Sequence, residues 1–196
     1  MSRKTKSNFI ELETNKRLIK TCLDGNQKAR KELYDLYSPQ MMSICRRYMK
    51  DEEEAKDVFQ QAFFSVYKNL AQVKNPKALS GWIKQTFIHT ALNRLKQKKR
   101  DHLINEQSAE DIRVENWNEA LDKLAVDVIM KLIENLPTGC RTVFNMYAID
   151  GYAHKEIAKE LGISEGTSKS QLHDARKSLQ AAIHKNSLSK INLNSK

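Results

Sequence analysis

A chain of 196 residues has room for two small domains, and 34 Lys and Arg against 24 Asp and Glu give a formal charge of +10 that suits a polyanionic partner such as nucleic acid. Its three cysteines, Cys22, Cys45 and Cys140, are odd in number, far apart and without metal-ligand spacing to any of the five histidines, which excludes a disulfide framework or a zinc site and points to reduced, mostly buried thiols. Met1 to Lys20 carries charges throughout, so neither a signal peptide nor a membrane span is expected, and a cytoplasmic protein is.

Gly occurs six times and Pro three, and helix-forming residues dominate, so the fold expected is all-α. Gln97 to Asp122 is rich in charge and amide and poor in apolar periodicity. Two small helical domains joined by a flexible linker are therefore expected, with limits at 17–100, 101–121, 122–184 and a polar, fraying tail at 185–196. Pro39, Pro76 and Pro137 are expected where a helix begins or a turn intervenes.

From Glu53 to Leu70, the apolar residues Ala55, Val58, Phe59, Ala62, Phe63 and Val66 recur at helical spacing and predict a buried stripe. Around the same helix Asp57, Gln60, Gln61 and Phe64 share a polar face with an exposed aromatic in its midst, which suits either a protein partner or plain solvent.

After Pro76 a second helix is expected, with Leu79, Ile83, Phe87 and Ala91 inward. Its other side aligns Trp82, Gln85, His89, Asn93 and Lys96 and runs into the cations Arg94, Lys98, Lys99 and Arg100. A ring to stack on, amides for base edges and cations for phosphates are what a single strand requires. Trp82 alone would more ordinarily be a half-buried core residue.

The last block opens with Leu136, Pro137 and Gly139, followed by a helix over about Cys140 to Ile149 that stops at Asp150 and Gly151. A short helix from His154 to Leu161, a turn at Gly162, Ile163 as an apolar anchor and Ser164 as N-cap precede a longer helix from Glu165 to about Ile183. This is the spacing of a helix-turn-helix. Leu172, Ala175 and Leu179 keep the core period, while Glu165, Gly166, Thr167, Ser168, Lys169, Gln171, His173 and Arg176 form the expected duplex-reading set. Lys169 and Arg176 suit phosphates; Gln171 suits a base edge.

From Leu18 to Ile183 the chain resembles the extracytoplasmic-function (ECF) sigma factors of the sigma-70 family. EEEAKDVFQQAFFSVYKNL, with Asp57, Gln60 and Phe63, resembles region 2.2, which implies docking on the clamp helices of the largest subunit of core RNA polymerase. GWIKQTFIHTALNRLKQKKR resembles regions 2.3 and 2.4, implying melting of the minus-10 element and capture of its non-template strand, aided by a loop near Gln72 to Ser80. LPTGCRTVFNMYAIDGYAHKEIAKELGISEGTSKSQLHDARKSL is similar to region 4, implying recognition of the minus-35 element as duplex. The short span between the two halves leaves no room for the region 3 domain of primary sigma factors. The implied partners are core polymerase, promoter DNA in both forms and, by family habit, an anti-sigma factor. No cofactor, metal or catalysis is implied.

Four positions depart from the family. His89 stands where Asn is common, Ala153 where a Ser commonly caps the helix before the turn, and His173 with Asp174 where residues are often basic. Glu156 near that helix N-terminus is expected to offset part of the lost cap. Two other function classes compete: a dimeric helix-turn-helix regulator, separable because it would bind its operator without polymerase, and a Mg²⁺-dependent nuclease built on Glu52, Glu53, Glu54 and Asp57, which lacks an opposing acidic cluster.

Overall fold

The computed structural model describes the backbone of residues 3–104 and 126–193, and the side chains of 12–101 and 128–184. The chain divides into two compact units, Met1–Leu95 and Lys96–Lys196. Among the described residues the regular structure is helical. The remainder of the expected linker and the last residues of the expected tail lie outside them.

The first unit is built from α1 (Arg3–Leu23), α2 (Gln27–Tyr48), α3 (Glu52–Asn69) and α4 (Leu79–Ile104) as far as Leu95. Gly25 at φ 81 ends α1, and Asn26 caps α2 by accepting from the backbone N–H groups of Lys28 (2.9 Å) and Ala29 (3.1 Å). Asp51 accepts from Glu54 N–H at 3.0 Å, and Glu52, Glu53 and Glu54 in the first turn of α3 complement its dipole. Both apolar stripes face inward as expected. Val58, Ala62, Val66, Leu79, Ile83, Phe87 and Ala91 are fully buried. At their meeting Phe63 packs on Phe59 (4.9 Å between centroids), Phe87 (5.1 Å) and Tyr34 (4.8 Å).

Between α3 and α4 the chain makes two 3-10 turns, Leu70–Gln72 and Pro76–Ala78. The buried Asn15 of α1 donates its Nδ2 to the Pro76 carbonyl at 3.1 Å and so ties this loop down. Pro39 departs from expectation: it lies inside α2. A proline there deletes one helix hydrogen bond at about 3 kcal/mol, and burial of the neighbouring Tyr37, Met41 and Ile44, at about 1.5–3 kcal/mol for each such side chain, outweighs that loss.

The second unit comprises α5 (Val126–Glu134), α6 (Thr138–Phe144), a π-helical turn (Asn145–Ile149), α7 (His154–Leu161) and α8 (Glu165–Leu193). Ile133, Leu136, Ala175 and Leu179 form its apolar centre. Arg141, only 2% exposed, donates Nη1 to the Glu134 carbonyl at 2.9 Å and closes the C-terminus of α5.

Two expectations change here. The helix expected over Cys140 to Ile149 starts at Thr138 and widens at Asn145, where Asp150 N–H reaches back to the Asn145 carbonyl at 2.9 Å. The last helix, expected to stop near Ile183, continues to Leu193 because residues 185–193 contain neither Gly nor Pro.

All three cysteines are free, Cys22 and Cys45 buried and Cys140 half-buried. Burial pushes the Cys45 thiol up to about 12.

Candidate nucleic-acid interface

Three surfaces carry the residues expected to bind partners. On α3, Asp57, Gln60, Gln61 and Phe64 are all exposed. Phe64 is 70% exposed while Phe63 beside it is 4% exposed. An aromatic ring left in water on the far side of a well-filled helix is a feature that folding alone does not require.

On α4 the set Trp82, Gln85, His89, Asn93 and Lys96 occupies one stripe, with Gln85 and Asn93 exposed and Trp82, His89 and Lys96 half-buried. Trp82 is thus neither a core residue nor a free plate. Arg94 is partly committed: its Nη2 lies 3.5 Å from Glu54 Oε1, with only 15% of the Glu54 side chain exposed. The guanidinium therefore braces α4 against α3 while neighbouring the stripe.

The third surface is the start of α8. Gly162 at φ 66 terminates α7 with its N–H on the Ala158 carbonyl, a left-handed conformation that suits glycine. Ser164 caps α8 by accepting from Thr167 N–H at 2.9 Å, and its hydroxyl meets the Thr167 hydroxyl at 2.9 Å. At the start of α7 the missing serine cap is half replaced, because Glu156 Oε2 accepts from Ala153 N–H at 2.8 Å. The turn thereby presents Glu165, Gly166, Lys169, His173 and Arg176 to solvent.

Three residues of the expected duplex-reading set are placed otherwise; Thr167 is half-buried with its hydroxyl on that of Ser164. Ser168 is fully buried and its Oγ lies 2.9 Å from Nδ1 of His154, so it joins α7 to α8 and does not reach a ligand at the surface. Gln171 is half-buried and its amide rests against α6: a Cβ added at Gly139 would lie 2.8 Å from its Nε2. Two further residues belong to this surface without having been expected. Ser170 is exposed beside Lys169. Tyr147, 37% exposed, lies beneath Arg176, whose guanidinium carbon is 5.7 Å from the ring centroid.

Residues 33–101 match the family model for Sigma-70 region 2, and residues 127–179 match that for Sigma-70, region 4. Together the two matches take in more than half of the chain, in the order in which the two units occur. The chain belongs to the sigma-70 family of RNA polymerase sigma factors.

Its relatives place it in the ECF branch. The ECF RNA polymerase sigma factor SigW of Bacillus subtilis is 27% identical, with 86% of this chain and 96% of the relative covered. The ECF RNA polymerase sigma-E factor of Escherichia coli is 26% identical, covering 87% and 94%. The fold is shared with the sigma factor RpoE of Bartonella quintana, solved with the anti-sigma factor NepR, at a TM-score of 0.51 and 17% identity over 79% of this chain and 96% of that one. Sigma factors are non-catalytic initiation factors that direct RNA polymerase to particular promoters. Among the described residues no helix of this sigma factor is long and apolar enough to cross a membrane.

Proposed function

We propose that this sigma factor binds core RNA polymerase through Asp57, Gln60, Gln61 and Phe64, holds the melted minus-10 non-template strand along Trp82, Gln85, His89, Asn93, Arg94 and Lys96, and reads the minus-35 element as duplex with the exposed start of α8. The observation that carries the reading is the pairing of a helix-turn-helix with a ring, amide and cation stripe on a different unit of the chain. A helix-turn-helix needs duplex only. A stripe that offers stacking and base-edge hydrogen bonds suits bases already out of the duplex, at about 1–3 kcal/mol for each stacked base.

The functional limits of the units are proposed as 17–100 and 122–184, with 101–121 spanning them and 185–196 outside both. The cytoplasm is the proposed location, and an anti-sigma protein a proposed partner. Affinity for DNA is expected to fall steeply with salt, since Lys169 and Arg176 act on phosphates. In-vitro transcription with purified core polymerase over a pool of genomic promoter fragments tests the whole reading. Initiation that depends on this chain is expected; its absence at every fragment overturns the proposal.

A further inference from the structure

Arg176, Tyr147, His154 and Ser168 form a path that leaves α8 and returns to it two turns earlier. The Arg176 guanidinium lies over the Tyr147 ring, 5.7 Å from its centroid. That ring stacks on His154, with centroids 4.5 Å apart and planes 22° from parallel. His154 in turn meets the buried hydroxyl of Ser168 at 2.9 Å through Nδ1. Tyr147 lies within the π-helical turn, next to the fully buried Met146.

We propose that Tyr147, His154 and Ser168 are positioning residues that hold Arg176 ready for a backbone phosphate of duplex DNA. An exposed arginine ordinarily loses much rotamer freedom when it pairs with a ligand, and a ring beneath it removes part of that freedom beforehand. A guanidinium held through its flat face keeps its edge of N–H donors free for phosphate oxygens. The ring is held by the His154 stack, and the imidazole by a hydroxyl that the fold buries. The inference rests on the reading of α8 as the duplex-binding helix.

Anisotropy of a labelled duplex of generic sequence, titrated with the full chain between about 50 and 200 mM salt, tests it, because phosphate contacts do not depend on sequence. Arg176→Ala is expected to flatten the plot of log affinity against log salt by about one unit. Tyr147→Leu is expected to weaken binding about three- to ten-fold and to add almost nothing in the Arg176→Ala background, while Tyr147→Phe binds as the parent does. Ser168→Ala, which removes one hydroxyl and leaves Tyr147 in place, acts in the same direction more weakly and serves as the readout if Tyr147→Leu melts below the assay temperature. Parent-like binding by Tyr147→Leu and Ser168→Ala, or an undiminished effect of Tyr147→Leu in the Arg176→Ala background, overturns the positioning role and leaves the duplex reading standing on Lys169. A parent chain whose binding to duplex does not vary with salt overturns that reading and the inference with it.

Discussion

The two units of this sigma factor solve the same packing problem with different materials. Among the described residues, the first buries 24 apolar side chains and only two polar ones, Asn15 and Arg47, whereas the second buries nine apolar side chains together with Arg141, Thr142, Asn145 and Ser168. Helices of 18 to 26 residues carry whole apolar stripes in the first unit; α6 and α7 have seven and eight residues, and Glu156 closes the start of α7 with its side chain. A long helix can devote one face to the core and another to a partner. A short one has proportionally more of its backbone groups at its termini, where polar groups must satisfy them.

Four experiments probe that contrast, from the largest effect to the smallest. Phe63→Ala in the aromatic centre is expected to cost about 3–5 kcal/mol, seen as a lower urea midpoint for the first unit with the second unchanged; a matching shift in both would show that the units do not unfold independently. Arg141→Leu is expected to destabilise the second unit by about 1–3 kcal/mol, because the Glu134 carbonyl loses its donor at a half-buried helix end; a neutral result would mean that the apolar centre alone holds α5 in place. Phe64→Ala, with or without Gln60→Ala, is expected to change stability by no more than about 0.5 kcal/mol while weakening co-purification with core polymerase, and to leave duplex binding intact. The smallest effect is acid-dependent. Arg46 donates to both oxygens of Glu52 at 2.7–3.2 Å and holds that carboxyl below its usual range. The pair therefore stabilises the fold at and above the ordinary carboxylate range and stops doing so as pH falls through the depressed value. Arg46→Gln is expected to remove that part of the acid-unfolding curve, and the effect is small because both groups face solvent.

The same contrast decides how much could be read from the residues. In the first unit, period alone placed Leu79, Ile83, Phe87 and Ala91 in the core and Asp57, Gln60, Gln61 and Phe64 outside it, because a long amphipathic helix makes burial a matter of angle. Pro39 escaped, since nothing local reveals that packing outweighs a lost hydrogen bond. In the second unit the helix-turn-helix was visible from Gly162 and Ser164, but residue type misplaced Ser168. A small hydroxyl at the start of a recognition helix looks like a surface donor until its partner, fourteen positions earlier, is known. Tyr147 was hidden for a related reason: a π-helical turn shifts the register of side chains, and no residue in NMYAI marks where the shift begins.

The close approach of Gly139 to Gln171 couples a position on α6 to one on α8. Any side chain at position 139 meets the tip of a flexible amide, not backbone, so a substitution there is tolerated by the fold and answered by a swing of Gln171. The aim of the Gln171 amide on α8 is thus adjustable from α6. Positions 139 and 171 are expected to evolve as a couple, with a larger residue at the first accompanied by a shorter or re-aimed one at the second.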